Sequence, residues 1–343
     1  MAWMWCFIAK GGISAILRGK PDLPIGPPVL SSVSPADAPG NGPVNTATRE
    51  MKMANPDLRL KLQNKTFITA PGVFDLVSAK LVDRTLAEAI YMSGFAVVAS
   101  YLGLPDAGIA DYSQMLDRAA AICDAVKKPV IADGDTGYGG LLNVHHTVRG
   151  YEKAGVTMIQ LEDQRIPKKC GHEPRRHIVS TEEMVNKIKV ASDARSSKDF
   201  LILARTDART SYGVDEAIRR GEAYARAGAD AIFIEAPESV EEMKKIGAQL
   251  DVPLVSNQLH GGKTPILPQS HLKEMGFAAA IYPSAALFAA AKVVESVYDD
   301  LAQGRLVSAA LETFEDFTKM IGFQDVFDFE DRFADAVKLE TGD

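Results

Sequence analysis

The chain has 343 residues, 46% of them apolar and 24% charged, with a formal net charge of −7. That length suits two average domains or one large barrel around a sizeable core. No uncharged apolar run reaches the roughly 18 residues of a membrane helix, and net acidity without a basic block argues against nucleic-acid binding.

A soluble protein handling small molecules is therefore expected. Three cysteines, Cys6, Cys123 and Cys170, are too few for a disulfide framework, which points to a reducing, cytoplasmic setting. Residues 1–50 differ from the rest. Residues 1–17 are mildly apolar but broken by Lys10 and Gly11-Gly12, a poor secretory segment. Residues 21–48 are rich in Pro, Gly, Ser and Ala and read as a disordered extension. Lys10, Arg18 and Lys20 precede the first acidic residue, Asp22, so a mitochondrial presequence is the alternative to a plain tail.

From residue 65 the pattern becomes regular. Short apolar runs at 67–70, 89–92, 129–132, 157–161, 200–204, 231–234, 253–255 and 278–282 alternate with helix-like stretches such as 113–126, 214–227 and 271–275. Alternation of strand and helix argues for parallel βα units. Eight units in about 230 residues fit an α/β fold of the (β/α)8, or TIM, barrel type. Gly155, Gly228 and Gly276 sit where a helix should end and a strand begin, a place for left-handed backbone. The barrel is placed at 51–300 and a C-terminal helical segment at 301–343, with helices at 289–301 and 311–320.

The residues just past each run carry the functional information. In order come Pro71-Gly72, Ser93-Gly94, Asp133-Gly134-Asp135, Glu162-Asp163, Arg205-Thr206-Asp207, Glu235, Asn257 and Pro283-Ser284. Barrel enzymes build their sites at the C-terminal strand ends, so these groups should converge on one mouth. One acidic strand end proves little, because such residues often cap the next helix.

In extended backbone, Asp133 and Asp135 would point to the same side. Two such anions repel unless a cation lies between them. Asp106 and Glu162 are positioned to complete an oxygen-rich set, which favours Mg²⁺ or Mn²⁺ over zinc. His145 and His146 read as ordinary helix residues. Cys170 follows Lys168-Lys169 and precedes Gly171-His172 on a loop, where neighbouring cations should favour the thiolate and lower the thiol pKa. Cys123 lies in a helical pattern and reads as core. No strand ending supplies a lysine for imine chemistry.

Lys168-Lys169-Cys170-Gly171-His172 resembles the signature of the isocitrate lyase / phosphoenolpyruvate mutase superfamily. Asp133-Gly134-Asp135-Thr136-Gly137-Tyr138-Gly139, Leu161-Glu162-Asp163-Gln164, Ala204-Arg205-Thr206-Asp207-Ala208 and Glu235-Ala236-Pro237 extend the resemblance over roughly residues 55–330. It implies a (β/α)8 barrel and a homotetramer with C-terminal helices exchanged between subunits. The cysteine loop and the lack of a large insertion resemble the short carbon–carbon lyases, which include 2-methylisocitrate lyase, 2,3-dimethylmalate lyase, oxaloacetate hydrolase and petal death protein. The phosphonate mutases and hydrolases resemble this chain less, because their loop lacks the cysteine.

The implied reaction is a Mg²⁺-dependent retro-aldol cleavage of a 2-hydroxy dicarboxylate to a 2-oxo acid and a carboxylate. The resemblance implies Asp133 as direct ligand, with Asp106, Asp135 and Glu162 holding the metal's waters. Arg205 would bind a substrate carboxylate, and Ser93, the Gly94 backbone and Asn257 the remaining oxygens. Tyr91 would contact the reacting hydroxyl. Cys170 would protonate the departing carbon, tuned by Lys168 and His172 and oriented through Glu235, on a loop that moves about Gly171. Two departures bear on substrate. Pro283 replaces a serine of the oxaloacetate hydrolases, with Ser284 one place away. Gln160 replaces a histidine of the 2-methylisocitrate lyases, whereas Pro283 matches them.

Overall fold

A computed structural model describes residues 54–341, with side chains through residue 334. The expected extension, the presequence alternative and Cys6 therefore lie outside the described residues. Eight strands run in chain order: β1 (Ile68–Val73), β2 (Ile90–Met92), β3 (Val130–Asp133), β4 (Met158–Glu162), β5 (Leu201–Thr206), β6 (Ala231–Ile234), β7 (Leu254–Asn257) and β8 (Ala279–Tyr282). They close into a parallel barrel in sequence order, with β8 against β1.

Alternation along each strand divides the core into two layers. Ile68, Tyr91, Ile131, Met158, Leu203, Phe233 and Ile281 belong to one cluster, packed inside the barrel. Ala132, Ile159, Leu161, Ile202 and Ile232 belong to the other, packed against the helices. Helices Tyr112–Ala125, Val214–Arg226 and Gln269–Glu274 fall on the expected stretches. Gly155, Gly228 and Gly276 each adopt positive φ (89°, 113° and 92°), as the αβ-turn reading required. Cys123 is buried in the core.

Five strands run further than their apolar runs. β1 continues to Val73, β3 ends on Asp133, β4 on Glu162, β5 on Thr206 and β7 on Asn257. Several candidate site residues are thus held in strand backbone, and register places them on one rim: Asp133 pairs with Gln160, and Glu162 with Arg205.

Beyond the barrel lie helices Ala285–Ala302, Phe314–Ile321 and Phe323–Thr341. The first starts four residues before the expected 289, and the second is set three residues later than the expected 311. Phe314, Phe323, Phe327, Phe329 and Phe333 are all exposed. Among the described residues no helix is long and apolar enough to cross a membrane.

Candidate active site

A cavity of about 430 Å³ opens at the C-terminal rim, lined by Tyr91, Ser93, Asp106, Asp133, Glu162, Lys168, Cys170, Gly171, His172, Arg205, Asn257 and Pro283. The predicted strand endings converge in part: Pro71, Gly72, Asp163, Thr206 and Asp207 are not on this wall. Gly94, Asp135 and Glu235 stand behind this wall rather than on it.

The carboxylates are arranged differently from the expected set. β3 stops at Asp133, and Asp135 takes a left-handed conformation with φ 49°, so strand alternation does not set its direction. Its backbone N–H instead donates to Asp133 Oδ1 at 3.0 Å, and Gln160 Nε2 donates to the same oxygen at 3.3 Å. Lys168 Nζ lies 2.6 Å from Asp106 Oδ1 and 2.5 Å from Asp135 Oδ1. That ammonium, not an open cation site, neutralises these two acids. Burial still pushes Asp135 up to about 7 against the pull of Lys168. Among the described residues no group of three or more His, Cys, Asp or Glu side chains could by itself hold a metal ion.

Asp133 and Glu162 remain, with Arg205 beside Glu162 but oxygens of both acids still open. Glu162 Oε2 meets Arg205 Nη1 at 3.2 Å, but Glu162 Oε1 is buried without a hydrogen-bond partner. Burial raises the pKa of Glu162 well above its ordinary value, although Arg205 and Lys168 pull it down. At Gly94 a Cβ would fall 2.5 Å from Asp133 Oδ2, so only glycine leaves that oxygen clear. A hard divalent ion suits such oxygen donors supplemented by water.

Arg205 is already engaged. Its Nε and Nη2 donate to Asp207 at 3.0 Å each, and Nη2 also lies 3.3 Å from Glu235 Oε2. Two of the Arg205 donors expected to bind a substrate carboxylate are therefore taken by Asp207, and Nη1 is the group held beside Glu162. Asp207 is ion-paired with Arg176 as well.

Cys170 reverses the expected thiol chemistry. Burial pushes it up to about 11, outweighing a hydrogen bond from the His172 backbone and the charge of Arg205. Lys168 cannot act as an activating cation because two carboxylates neutralise it. The sulfur is thus an S–H at neutral pH. The loop is tied down: the Cys170 N–H donates to the Asp106 carbonyl at 3.1 Å, and Gln164 exchanges two bonds with the Lys169 backbone. Gly171 is buried because space is short; a Cβ would lie 2.2 Å from Arg205 Nη2. Close packing alone is enough to require glycine at that position.

His172 joins three elements. Its Nε2 lies 3.1 Å from Glu235 Oε1 and 3.3 Å from Asn257 Nδ2, while Nδ1 accepts from the Lys263 N–H at 3.2 Å. Burial opposes ionisation of Glu235, but Arg205 and His172 hold it down to about 2. Tyr91 donates to Gln160 Oε1 at 3.1 Å. Burial first, then Asp133, keep its pKa well raised, so Tyr91 stays protonated and makes a poor base.

The cavity wall also includes Phe95, Phe233, Leu259, Ile281, Ser284 and Phe288. Apolar residues at strand ends read as core, so sequence reasoning passes over them. Gln160 stands out in the sequence only as a departure, although it links Tyr91 to Asp133. Ser284 lies on the wall beside Pro283.

A closed parallel barrel with a charged cavity at this rim defines a barrel enzyme. The family model for phosphoenolpyruvate phosphomutase matches residues 58–302. The 2,3-dimethylmalate lyase of Eubacterium barkeri is 46% identical over 282 residues, covering 81% of this chain and 97% of that protein. Oxaloacetate acetylhydrolase bound to 3,3-difluorooxalacetate superposes with a TM-score of 0.78 at 34% identity, covering 81% and 96% of the two chains. Phosphonopyruvate hydrolase bound to oxalate and Mg²⁺ gives 0.75 at 33%, covering 82% and 99%. The chain belongs to the phosphoenolpyruvate mutase / isocitrate lyase superfamily of enzymes.

Proposed function

We propose that this enzyme is a Mg²⁺-dependent carbon–carbon lyase that cleaves a substituted 2-hydroxy dicarboxylate into a 2-oxo acid and a carboxylate. The observation that carries this reading is Cys170, kept as a thiol on the wall of the same cavity as Asp133 and Glu162. Similarity to 2,3-dimethylmalate lyase supports the substrate class.

Asp133 would hold the ion directly and Glu162 through water, with Mn²⁺ as a substitute. When bound, the ion supplies Lewis-acid stabilisation of negative charge on substrate oxygen. Arg205 Nη1 places a fixed positive charge beside the same oxygens. Asn257 Oδ1 is buried without a partner and is suited to accept from a substrate hydroxyl. The Ser93 hydroxyl accepts from Ala96 N at 3.3 Å, which leaves its O–H to donate to a substrate oxygen.

The substrate hydroxyl gives up its proton to water as its oxygen becomes the carbonyl, and the C–C electron pair passes to the carbon alpha to the departing carboxylate. The Cys170 S–H donates the proton that quenches it, and the thiolate regains a proton from solvent. The Glu235–His172 pair holds the loop so that the sulfur faces the cavity. The Lys168 ammonium, locked between Asp106 and Asp135, anchors the start of the loop rather than tuning the thiol. Exposed phenylalanines on the last two helices support a homotetramer with exchanged helices.

Assay of malates, 2-methylisocitrate and oxaloacetate with Mg²⁺, following 2-oxo acid and oxalate release, tests the reading. Cleavage of a substituted malate supports it, and turnover of none of the hydroxy dicarboxylates refutes it. Oxaloacetate hydrolysis is the second reading, favoured by Ser284 on the cavity wall and by the likeness to oxaloacetate acetylhydrolase.

A further inference from the structure

The charged groups on the cavity wall come from one arc of the barrel, although Phe233 of β6 and Leu259 after β7 face the cavity there too. The ends of β3, β4, β5 and β7 supply Asp133, Glu162, Arg205 and Asn257. β8 leaves through Pro283 and Ser284, and β1 through Gly72, Val73 and Phe74, with no charged residue until Asp75. Asp75 is spent capping the next helix, where it accepts from Ser78 N. Position 72 adds no side chain, because a Cβ there would fall 2.3 Å from the Pro283 carbonyl oxygen.

Two phenylalanines span this gap. Phe95 lies in the first turn of helix Gly94–Leu102, which follows β2, and Phe288 in the first turn of helix Ala285–Ala302, which follows β8. β1 lies between those two strands in the barrel. Both rings line the cavity, edge to face at 86° with centroids 6.3 Å apart. Phe288 keeps 43% of its surface exposed. A carboxylate or hydroxyl set here would lose water without a charged partner, whereas an alkyl group would bury ring surface.

We infer that the Phe95–Phe288 pair is the specificity wall of this enzyme, receiving a short alkyl branch carried by the 2-hydroxy dicarboxylate. The inference rests on the lyase reading and deepens it: the oxygen-bearing end of the substrate faces β3 to β7, and the branch faces β8, β1 and the two rings. A methylene in such a pocket changes kcat/KM by about tenfold or more. Selectivity should therefore follow the volume at residue 288.

The test is kcat/KM with Mg²⁺ for malates carrying methyl, ethyl or propyl at C2 or C3. Phe288→Ala should raise the propyl-to-methyl ratio at least fivefold, and Phe288→Trp should lower it. Phe95→Leu gives a gentler version of the first change on the facing ring. Cleavage with the same ratio in all variants would overturn the wall while leaving the lyase reading intact. No cleavage of any malate by the unaltered enzyme would overturn both.

Discussion

Two buried charge clusters meet at Asp207 and are built differently. Behind it, Asp163 accepts from the Asp207 N–H (2.9 Å), Thr206 Oγ1 (2.7 Å), Tyr224 Oη (2.8 Å) and Arg220 Nη1 (3.1 Å). No buried side-chain oxygen of Asp163, Thr206 or Tyr224 is left unpartnered. In front of it, Arg205 is shared among Asp207, Glu162 and Glu235, yet Glu162 Oε1 and Asn257 Oδ1 have no partner. Unsatisfied buried polar atoms are costly, and native interiors hold few. The closed cluster is structural, and the open one is shaped for something that arrives.

This contrast can be broken by mutation. The largest effect belongs to the cavity: Cys170→Ala should lower kcat at least a hundredfold while oxalate still binds, as read by steady-state kinetics and calorimetry. In the closed cluster, Asp163→Asn removes the charge that Arg220 faces. A loss of about 3 kcal/mol in denaturant unfolding is expected, with a smaller effect on kcat. If both variants lost only stability, the distinction between the clusters would fail. Glu162→Gln should weaken Mg²⁺ or Mn²⁺ binding about tenfold by calorimetry without comparable loss of stability, because the orphaned oxygen no longer presents a charge.

A pH experiment sharpens the comparison further. Burial holds Cys170 near 11, above the ordinary thiol value of about 8.5. The raised value favours the thiol, so the thiolate fraction grows with pH throughout the neutral and mildly basic range. Alkylation of Cys170 should rise about tenfold per pH unit from 7 to 10 without a plateau. A plateau near pH 8 would mean an activated thiolate instead.

Much of this was legible in the sequence. The eight apolar runs marked the barrel, and their polar endings marked the rim, because strand ends are where burial gives way to chemistry. Boundaries were less legible. Asp133, Glu162, Arg205 and Asn257 lie in the strands themselves, and a hydrophobic pattern cannot register polar residues as strand. The direction of Asp135 depends on a left-handed turn that alternation does not foresee.

The sequence around the thiol misleads for a related reason. Lysines beside Cys170 in sequence suggest activation, but Asp106, on the loop after helix Gly94–Leu102, and Asp135, just past β3, take up the Lys168 charge. Phe95 and Phe288 look like core because nothing local distinguishes an apolar residue under a helix from one facing a cavity. Their place just after Ser93-Gly94 and Pro283-Ser284 was the available clue.

The most direct test of the central claim is isotope exchange. In D2O, with the 2-oxo acid product present, the unaltered enzyme should exchange deuterium into the alpha carbon of the carboxylate product, and Cys170→Ala should not, although it still binds oxalate. Exchange at an undiminished rate without that sulfur would contradict the assignment of Cys170 as the proton donor.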